Sequence, residues 1–146
     1  MNDADKRFII EHRNHIARTL GVIASATAAG EPNEAERIGV AAMLMNIYSG
    51  METILRHILE DKGHKISKTG SWHKEILEKA ASEHVISIEL QEKLLEYLQF
   101  RHRHIHGYGF MLDWDRMKPL VSSIKSTADK FFAELARNDF LAEYTS

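Results

Sequence analysis

The chain has 146 residues, a length typical of one domain, with a formal net charge of −2 and no cysteine. The lack of cysteine excludes disulfides, thiolate metal ligands and a cysteine nucleophile, and it suits a reducing cytosol. The charge argues against a protein that coats nucleic acid nonspecifically, since such proteins rely on a broadly basic face. The first residues are charged, and the longest apolar run, residues 40–45, is too short to span a bilayer. We therefore expect a cytoplasmic protein that does not contact membranes.

A pattern of residues with helical spacing starts near the N-terminus. Mostly apolar side chains recur there at intervals of three and four residues, at Phe8, His12, Ile16, Leu20, Ile23 and Thr27. Asn2 or Asp3 is the expected cap. Gly30 and Pro32 predict the end of this helix, and a second helix is expected to start at Asn33.

The second helix is predicted to pack on more than one side and to end at Gly63. Its wide apolar stripe contains Ile38, Ala41, Ala42, Met45, Tyr48, Leu55, Ile58 and Leu59. Glu52 lies among these residues and is a candidate buried carboxylate, but we interpret it as the partner of Arg56 one turn later. The polar segment of residues 63–71 predicts a loop.

Three further helices are expected after that loop. Ser71 begins a short one, in which Trp72 is interpreted as a buried anchor and His73 as a surface imidazole. Ser87 caps the next helix, which runs to Arg101. Gly107 and Gly109 then break the pattern, and Asp113 caps the last stretch. Pro119 either kinks a helix begun at Trp114 or occupies the first turn of a new one.

This organisation predicts a single domain over residues 1–146. No alternation typical of strands, internal repeat, low-complexity segment or linker occurs in the sequence. The expected fold is all-α, an antiparallel bundle of four to five helices. Fold alone does not name a function.

Residues 100–108 concentrate the groups that can move protons or hold phosphate. This cluster contains Arg101, His102, Arg103, His104 and His106. Keeping these cations close is costly because they repel one another, which suggests a site. On a regular helix Arg101 and His106 would be about 140° apart. Either the helix unwinds before Gly107, or the two groups meet across a two-fold axis with a second copy of the chain.

Two other interpretations of the cluster stay open from spacing alone. Cations near a helix C-terminus are favoured by its dipole, so the cluster can be purely structural. His102 and His106 can also share a zinc ion on a helix, and with His104 they would share a face on a strand. No carboxylate occurs in residues 100–112, so we do not expect a metal. Arg116 and Lys118 lie nearby in the sequence and can add to a local basic site.

The residues also resemble a known family. Residues 100–108, FRHRHIHGY, are similar to the motif of the HEPN superfamily, and the Gly-Tyr pair that ends them resembles its HepT toxin branch. The likeness extends to residues 48–52 (YSGME), residues 72–73 (WH) and residues 112–120 (LDWDRMKPL), so it covers roughly the whole length.

The resemblance implies an RNA endonuclease that needs no metal or other cofactor. It would be the toxin of a toxin–antitoxin pair whose antitoxin is a small nucleotidyltransferase of the MntA type. Arg101 and His106 correspond to the catalytic pair, and Tyr108 to the tyrosine that the antitoxin adenylylates. His102, which stands where the family most often has asparagine, is expected with Arg103 and His104 to support catalysis or RNA binding.

The family also implies a homodimer in which two motifs face a shared cleft. The alternative function is a noncatalytic HEPN module that binds a nucleotide or presents a substrate to a separate nucleotidyltransferase. The two functions imply the same fold and differ only in whether the protein cleaves RNA.

Overall fold

The computed structural model describes residues 1–68, 70–105 and 113–138, and within these residues it contains five helices and no strand. This confirms the all-α prediction. The helices are α1 (Asp3–Thr27), α2 (Glu34–Asp61), α3 (Trp72–Ser82), α4 (Ile88–Ile105) and α5 (Trp114–Arg137).

Capping side chains set the starts of α1 and α2. The side chain of Asn2 accepts from the backbone N–H of Asp5 at 2.9 Å, and Asp5 reciprocates by accepting from the backbone of Asn2. Asn33 and Glu36 form the same capping box at α2. Each box satisfies two backbone donors that the first turn of a helix leaves without partners. Gly30, with φ of 112°, turns the chain between the two helices.

Helix α2 is the central element, because it packs against each of the other four helices. Its buried face includes Leu44, Ile47, Met51 and Ile58. The predicted wide stripe is confirmed except at its start, since Ile38 is 50% exposed and Ala42 is also exposed. By length and composition α2 could cross a membrane, but 56% of that apolar window is buried inside the bundle.

Helix α1 lies antiparallel to α2. The ring of Phe8 stacks on that of His57 with centroids 4.3 Å apart, and His15 hydrogen-bonds Asn46 near the middle of α2. Ile9, Ile16 and Ile23 form the buried line of α1. The predicted stripe contained the last two of these residues and missed Ile9.

Helices α4 and α5 are also antiparallel and are held by polar contacts. Ser87 caps α4 as predicted, its Oγ accepting from the N–H of Leu90 at 3.1 Å. The same hydroxyl donates to buried Glu134 of α5 at 2.8 Å. Asp113 caps α5, and Pro119 lies inside that helix, so the first of the two predicted alternatives holds for its position. Helix α4 also packs against α3, and the last turns of α4 lie beside the start of α3.

Candidate functional site at Arg101

A cavity of about 730 Å³ lies between the start of α3 and the last turns of α4. The leucines Leu95 and Leu98 supply apolar wall. Its polar lining residues include Ser71, His73, Lys74, Arg101, His102 and Arg103. No carboxylate is among the lining residues in the part of the chain that is described. The cavity therefore concentrates positive charge in a chain whose net charge is −2.

Arg101, the predicted catalytic arginine, is partly exposed in this cavity. Its Nη1 lies 3.5 Å from Nε2 of His73. A guanidinium can only donate hydrogen bonds, so Nε2 of His73 is the acceptor in this contact. In the neutral form of the imidazole, this contact places the proton on Nδ1.

His73 is in turn held by a buried carboxylate of α2. Its Nδ1–H donates to Oε1 of Glu52 at 2.7 Å, and the hydroxyl of Tyr48 donates to Oε2 of Glu52 at 2.8 Å. Glu52 and Tyr48 are both buried. A continuous hydrogen-bonded chain therefore runs from the core at Tyr48 through Glu52 and His73 to Arg101 at the cavity.

Burial is the main reason that the pKa of the Tyr48 phenol lies far above its usual value, and the neighbouring negative charge of Glu52 raises it further. The positive charge of Arg101 acts on this pKa in the opposite direction, since the guanidinium lies close to the network. Tyr48 consequently keeps its proton and remains a donor to Glu52 at any pH near neutrality.

Two sequence-based interpretations of this region are wrong. Glu52 does not pair with Arg56, because the Arg56 guanidinium bonds Glu60 at 2.8 Å and lies 5.7 Å from the centre of the Trp72 ring. His73 is not a surface imidazole beside an anchor, but a half-buried member of the site. Two signals could have identified the network: the spacing of Tyr48 and Glu52, one turn apart on an apolar helix, and the Trp-His pair within the family resemblance.

The other described residues of the cluster do not all line the cavity. His102 and Arg103 are exposed and line the cavity, and Arg103 also borders a second cleft of about 360 Å³ together with Arg116. His104 lies apart from both and stacks on Phe100, with ring centroids 6.4 Å apart. Lys118, which was expected to add to the basic site, is exposed and lines neither cavity.

The helical course of this segment bears on the metal alternative. Helix α4 continues through residue 105, so His102 and His104 point about 200° apart and do not share a face as they would on a strand. Among the described residues no group of three or more histidines and carboxylates is placed to hold a metal ion. His106 and Tyr108 lie outside the described residues, and their roles stay predictions.

Comparison with known proteins identifies the family. No curated protein and no solved structure shows significant similarity to the chain. Residues 39–142 match the model of a family described as HepT-like protein, a match that covers more than two thirds of the 146 residues. The matched region includes Tyr48, Glu52, His73 and Arg101. The chain therefore belongs to the HepT-like family of the HEPN superfamily, as the resemblance of its motif predicted.

Proposed function

We propose that this protein is a ribonuclease toxin, a metal-independent RNA endonuclease of a toxin–antitoxin pair. The ribose 2′-hydroxyl would attack the adjacent phosphorus, leaving a cyclic phosphate and a free 5′-hydroxyl. Membership of a HEPN-type toxin and ribonuclease family supports this function. The observation that carries it is the position of Arg101, which contacts His73 on its core side and is open to a cationic cavity.

The cavity suits a segment of nucleic acid. Its volume, about 730 Å³, lies in the range of small-ligand sites and accommodates a nucleotide. Lys74, Arg101 and Arg103 supply cations that attract a polyanion, and the leucine wall provides apolar surface for a base or sugar. The lack of carboxylates among the described lining residues removes a source of repulsion for phosphate.

In this proposal Arg101 and His106 share the chemistry. A planar guanidinium can donate to two phosphoryl oxygens at once, and fixed charge of this kind is worth about 10²-fold or more in rate. An imidazole that titrates near neutrality can move protons to and from the sugar oxygens, contributing about 10² to 10⁴-fold. His102 and Arg103 would contact the RNA beside the reacting phosphate.

We propose two protein partners by analogy with the family. Two copies of the chain would form a homodimer whose sites share a cleft, and a MntA-type nucleotidyltransferase would be the antitoxin. Adenylylation of Tyr108 would add negative charge and bulk where RNA enters, and so block the site. This regulation by the antitoxin would take place in the cytoplasm.

Expression in a bacterium tests the proposal. We expect the wild-type chain to arrest growth and fragment cellular RNA, and Arg101→Ala and His106→Ala to abolish both effects. The matched control is Arg37→Ala, since Arg37 is also half-buried but bonds the backbone of Pro32 far from the cavity. This variant should remain toxic.

Other outcomes would count against the assignment. Growth arrest that survives both substitutions would show that the assigned residues are wrong. Normal growth with intact RNA in cells that express the chain without the nucleotidyltransferase, combined with binding of the purified chain to that enzyme, would favour the noncatalytic module.

A further inference from the structure

His73 has no part in the catalytic pair of Arg101 and His106, yet it lies in the same cavity as Arg101. It occupies the second position of α3, directly after Trp72, whose ring centroid is 3.6 Å from its own. Its Nδ1 is bonded to Glu52, and its Nε2 is on the side of Arg101 and the cavity. The two nitrogens of this imidazole therefore have separate environments, one in the core and one at the site.

The contacts of His73 select the tautomer of its neutral imidazole before a substrate binds. Because Arg101 can only donate, Nε2 presents a lone pair and Nδ1 carries the proton. The Arg101 contact is long, at 3.5 Å, and weak enough for a phosphate to replace it. An imidazole with a free lone pair beside a phosphate-binding arginine is arranged as a proton acceptor.

Other histidine–carboxylate pairs in the described residues differ from this one. His57 bonds Asp5, and His64 bonds Glu83, but neither imidazole lines the cavity of Arg101. The side chains of these two carboxylates are 17% and 35% exposed, whereas that of Glu52 is 8% exposed. Only the pair with the most buried carboxylate among these three faces the cavity.

We propose that His73 is a further catalytic residue, whose Nε2 accepts the proton of the attacking ribose 2′-hydroxyl while Arg101 holds the phosphate. This inference rests on the proposed function. As the proton moves to Nε2, the 2′-oxygen forms a bond to phosphorus. The bond from phosphorus to the 5′-oxygen then breaks, and its electron pair stays on that oxygen, which takes a proton from the acid, a role left to His106. Solvent restores both groups, because His73 releases its proton to water and His106 takes one up.

The groups around His73 favour this direction of transfer. The carboxylate of Glu52 fixes the Nδ1–H tautomer and stabilises the imidazolium that forms, as a buried carboxylate does in a catalytic triad. Neighbouring cations oppose that imidazolium until the substrate phosphate offsets their charge. Among the described residues, the titratable and charged groups that contact the His73 network or its ring partner, or that line the same cavity, are Tyr48, Glu52, Arg56, Lys74, Arg101, His102 and Arg103.

The test uses the full chain and a fluorophore–quencher RNA pool of random sequence, with an all-2′-deoxy pool as an uncleavable binding probe. The informative variant is His73→Asn, because its side-chain amide can still donate to Glu52 but supplies no nitrogen base at the position of Nε2. We expect its single-turnover cleavage rate to fall by about 10²-fold and the acidic limb of the pH–rate profile to disappear. Binding of the 2′-deoxy pool should stay at the wild-type level.

The matched control is His64→Gln, which removes a half-buried imidazole from a carboxylate without touching the cavity. It should keep the wild-type rate and pH profile. A measurement on the wild-type chain does not depend on any variant folding. Nitrogen NMR should show His73 as the Nδ1–H tautomer, and its Nε2 signal should shift when the 2′-deoxy pool is added.

The outcomes separate the inference from the function on which it rests. If wild-type protein does not cleave the RNA pool, the proposed function fails and the inference fails with it. If wild-type protein cleaves RNA and Arg101→Ala does not, but His73→Asn keeps the rate and the acidic limb, the inference alone is overturned. An Nε2–H tautomer of His73, or an Nε2 signal indifferent to the 2′-deoxy pool, would also overturn it.

Discussion

At the scale of single residues, Tyr48 shows how the core supports the site. Its ring is wholly buried, and its hydroxyl provides Glu52 with a hydrogen bond that water would otherwise supply. A buried carboxylate without such partners is costly, so the position of Glu52, and through it the orientation of His73, depends on Tyr48.

We predict that Tyr48→Phe destabilises the fold by about 1.5 to 3 kcal/mol near neutral pH, because the lost bond has a charged acceptor. The control is Tyr97→Phe. Tyr97 is equally buried, but both partners of its hydroxyl are neutral, since it donates to the carbonyl of Leu120 at 2.8 Å and lies 2.8 Å from Oγ of Ser123, so its loss should cost about 1 kcal/mol. Urea unfolding of both variants checks the order. A smaller cost for Tyr48→Phe than for Tyr97→Phe would contradict the role given to Glu52.

The same tyrosine predicts a loss of stability at alkaline pH. Burial and then the charge of Glu52 raise the pKa of Tyr48 above its unfolded value of 10.0, and burial also raises that of Tyr97. A raised folded pKa gives stability that is complete below pH 10.0 and lost as the pH rises above it, by about 1.4 kcal/mol per pH unit for each such group.

Unfolding free energies between about pH 9 and about pH 11 test this slope. The free energy of unfolding of Tyr48→Phe should fall less steeply with pH than that of the wild-type chain, since one of the two buried phenols is no longer present to titrate. Equal slopes would show that the ionisation of Tyr48 is not linked to folding.

At the scale of the helices, much of the fold follows from local signals in the sequence. Asn2, Asn33, Ser87 and Asp113 were each placed at or next to a helix start, and each caps a helix in the structure. These predictions succeed because a cap and its partner lie within three residues of one another. The prediction of which residues are buried near the ends of α1 and α2 was less accurate, since burial there depends on which neighbouring helix covers each turn.

Two glycines of α2 provide a test of that packing. A Cβ at Gly39 would meet nothing within 4 Å, whereas one at Gly50 would lie 3.1 Å from Cδ1 of Ile16, a buried residue of α1. We predict that Gly39→Ala stabilises the fold by about 0.5 to 1 kcal/mol through helix propensity. Gly50→Ala should destabilise it by about 1 kcal/mol or more, because the side chain of Ile16 must shift within a packed core to make room for the new methyl group.

Chemical denaturation of these two variants is the appropriate measurement, since each replaces a glycine with alanine in the same helix. Their opposite signs isolate packing from propensity. Equal stabilisation by both substitutions would mean that α1 does not approach α2 closely at Gly50.

At the scale of the whole molecule, the candidate site joins segments that are distant in sequence. Arg101 was identified from its own neighbourhood because the motif is contiguous. Glu52 and His73 are 21 residues apart and meet only because the chain between α2 and α3 returns the start of α3 to the middle of α2. Such a contact has no local spacing rule, and the rule that was applied, a partner one turn away, selected Arg56 instead.

The distribution of charge also emerges only in the folded chain. The sequence carries a net charge of −2, but none of its carboxylates is among the described residues that line the cavity. Three cations do line it. This local excess accounts for how a weakly acidic protein could bind RNA at one place without coating nucleic acid. The proposed homodimer would bring two such surfaces together.

The most direct measurement is the analysis of RNA ends after incubation of the purified, chelator-treated chain with a random-sequence RNA pool. The account predicts fragments with a cyclic phosphate at one end and a 5′-hydroxyl at the other, formed by the wild-type chain and not by Arg101→Ala. Intact RNA, cleavage only after a divalent metal is restored, or equal cleavage by Arg101→Ala would contradict it.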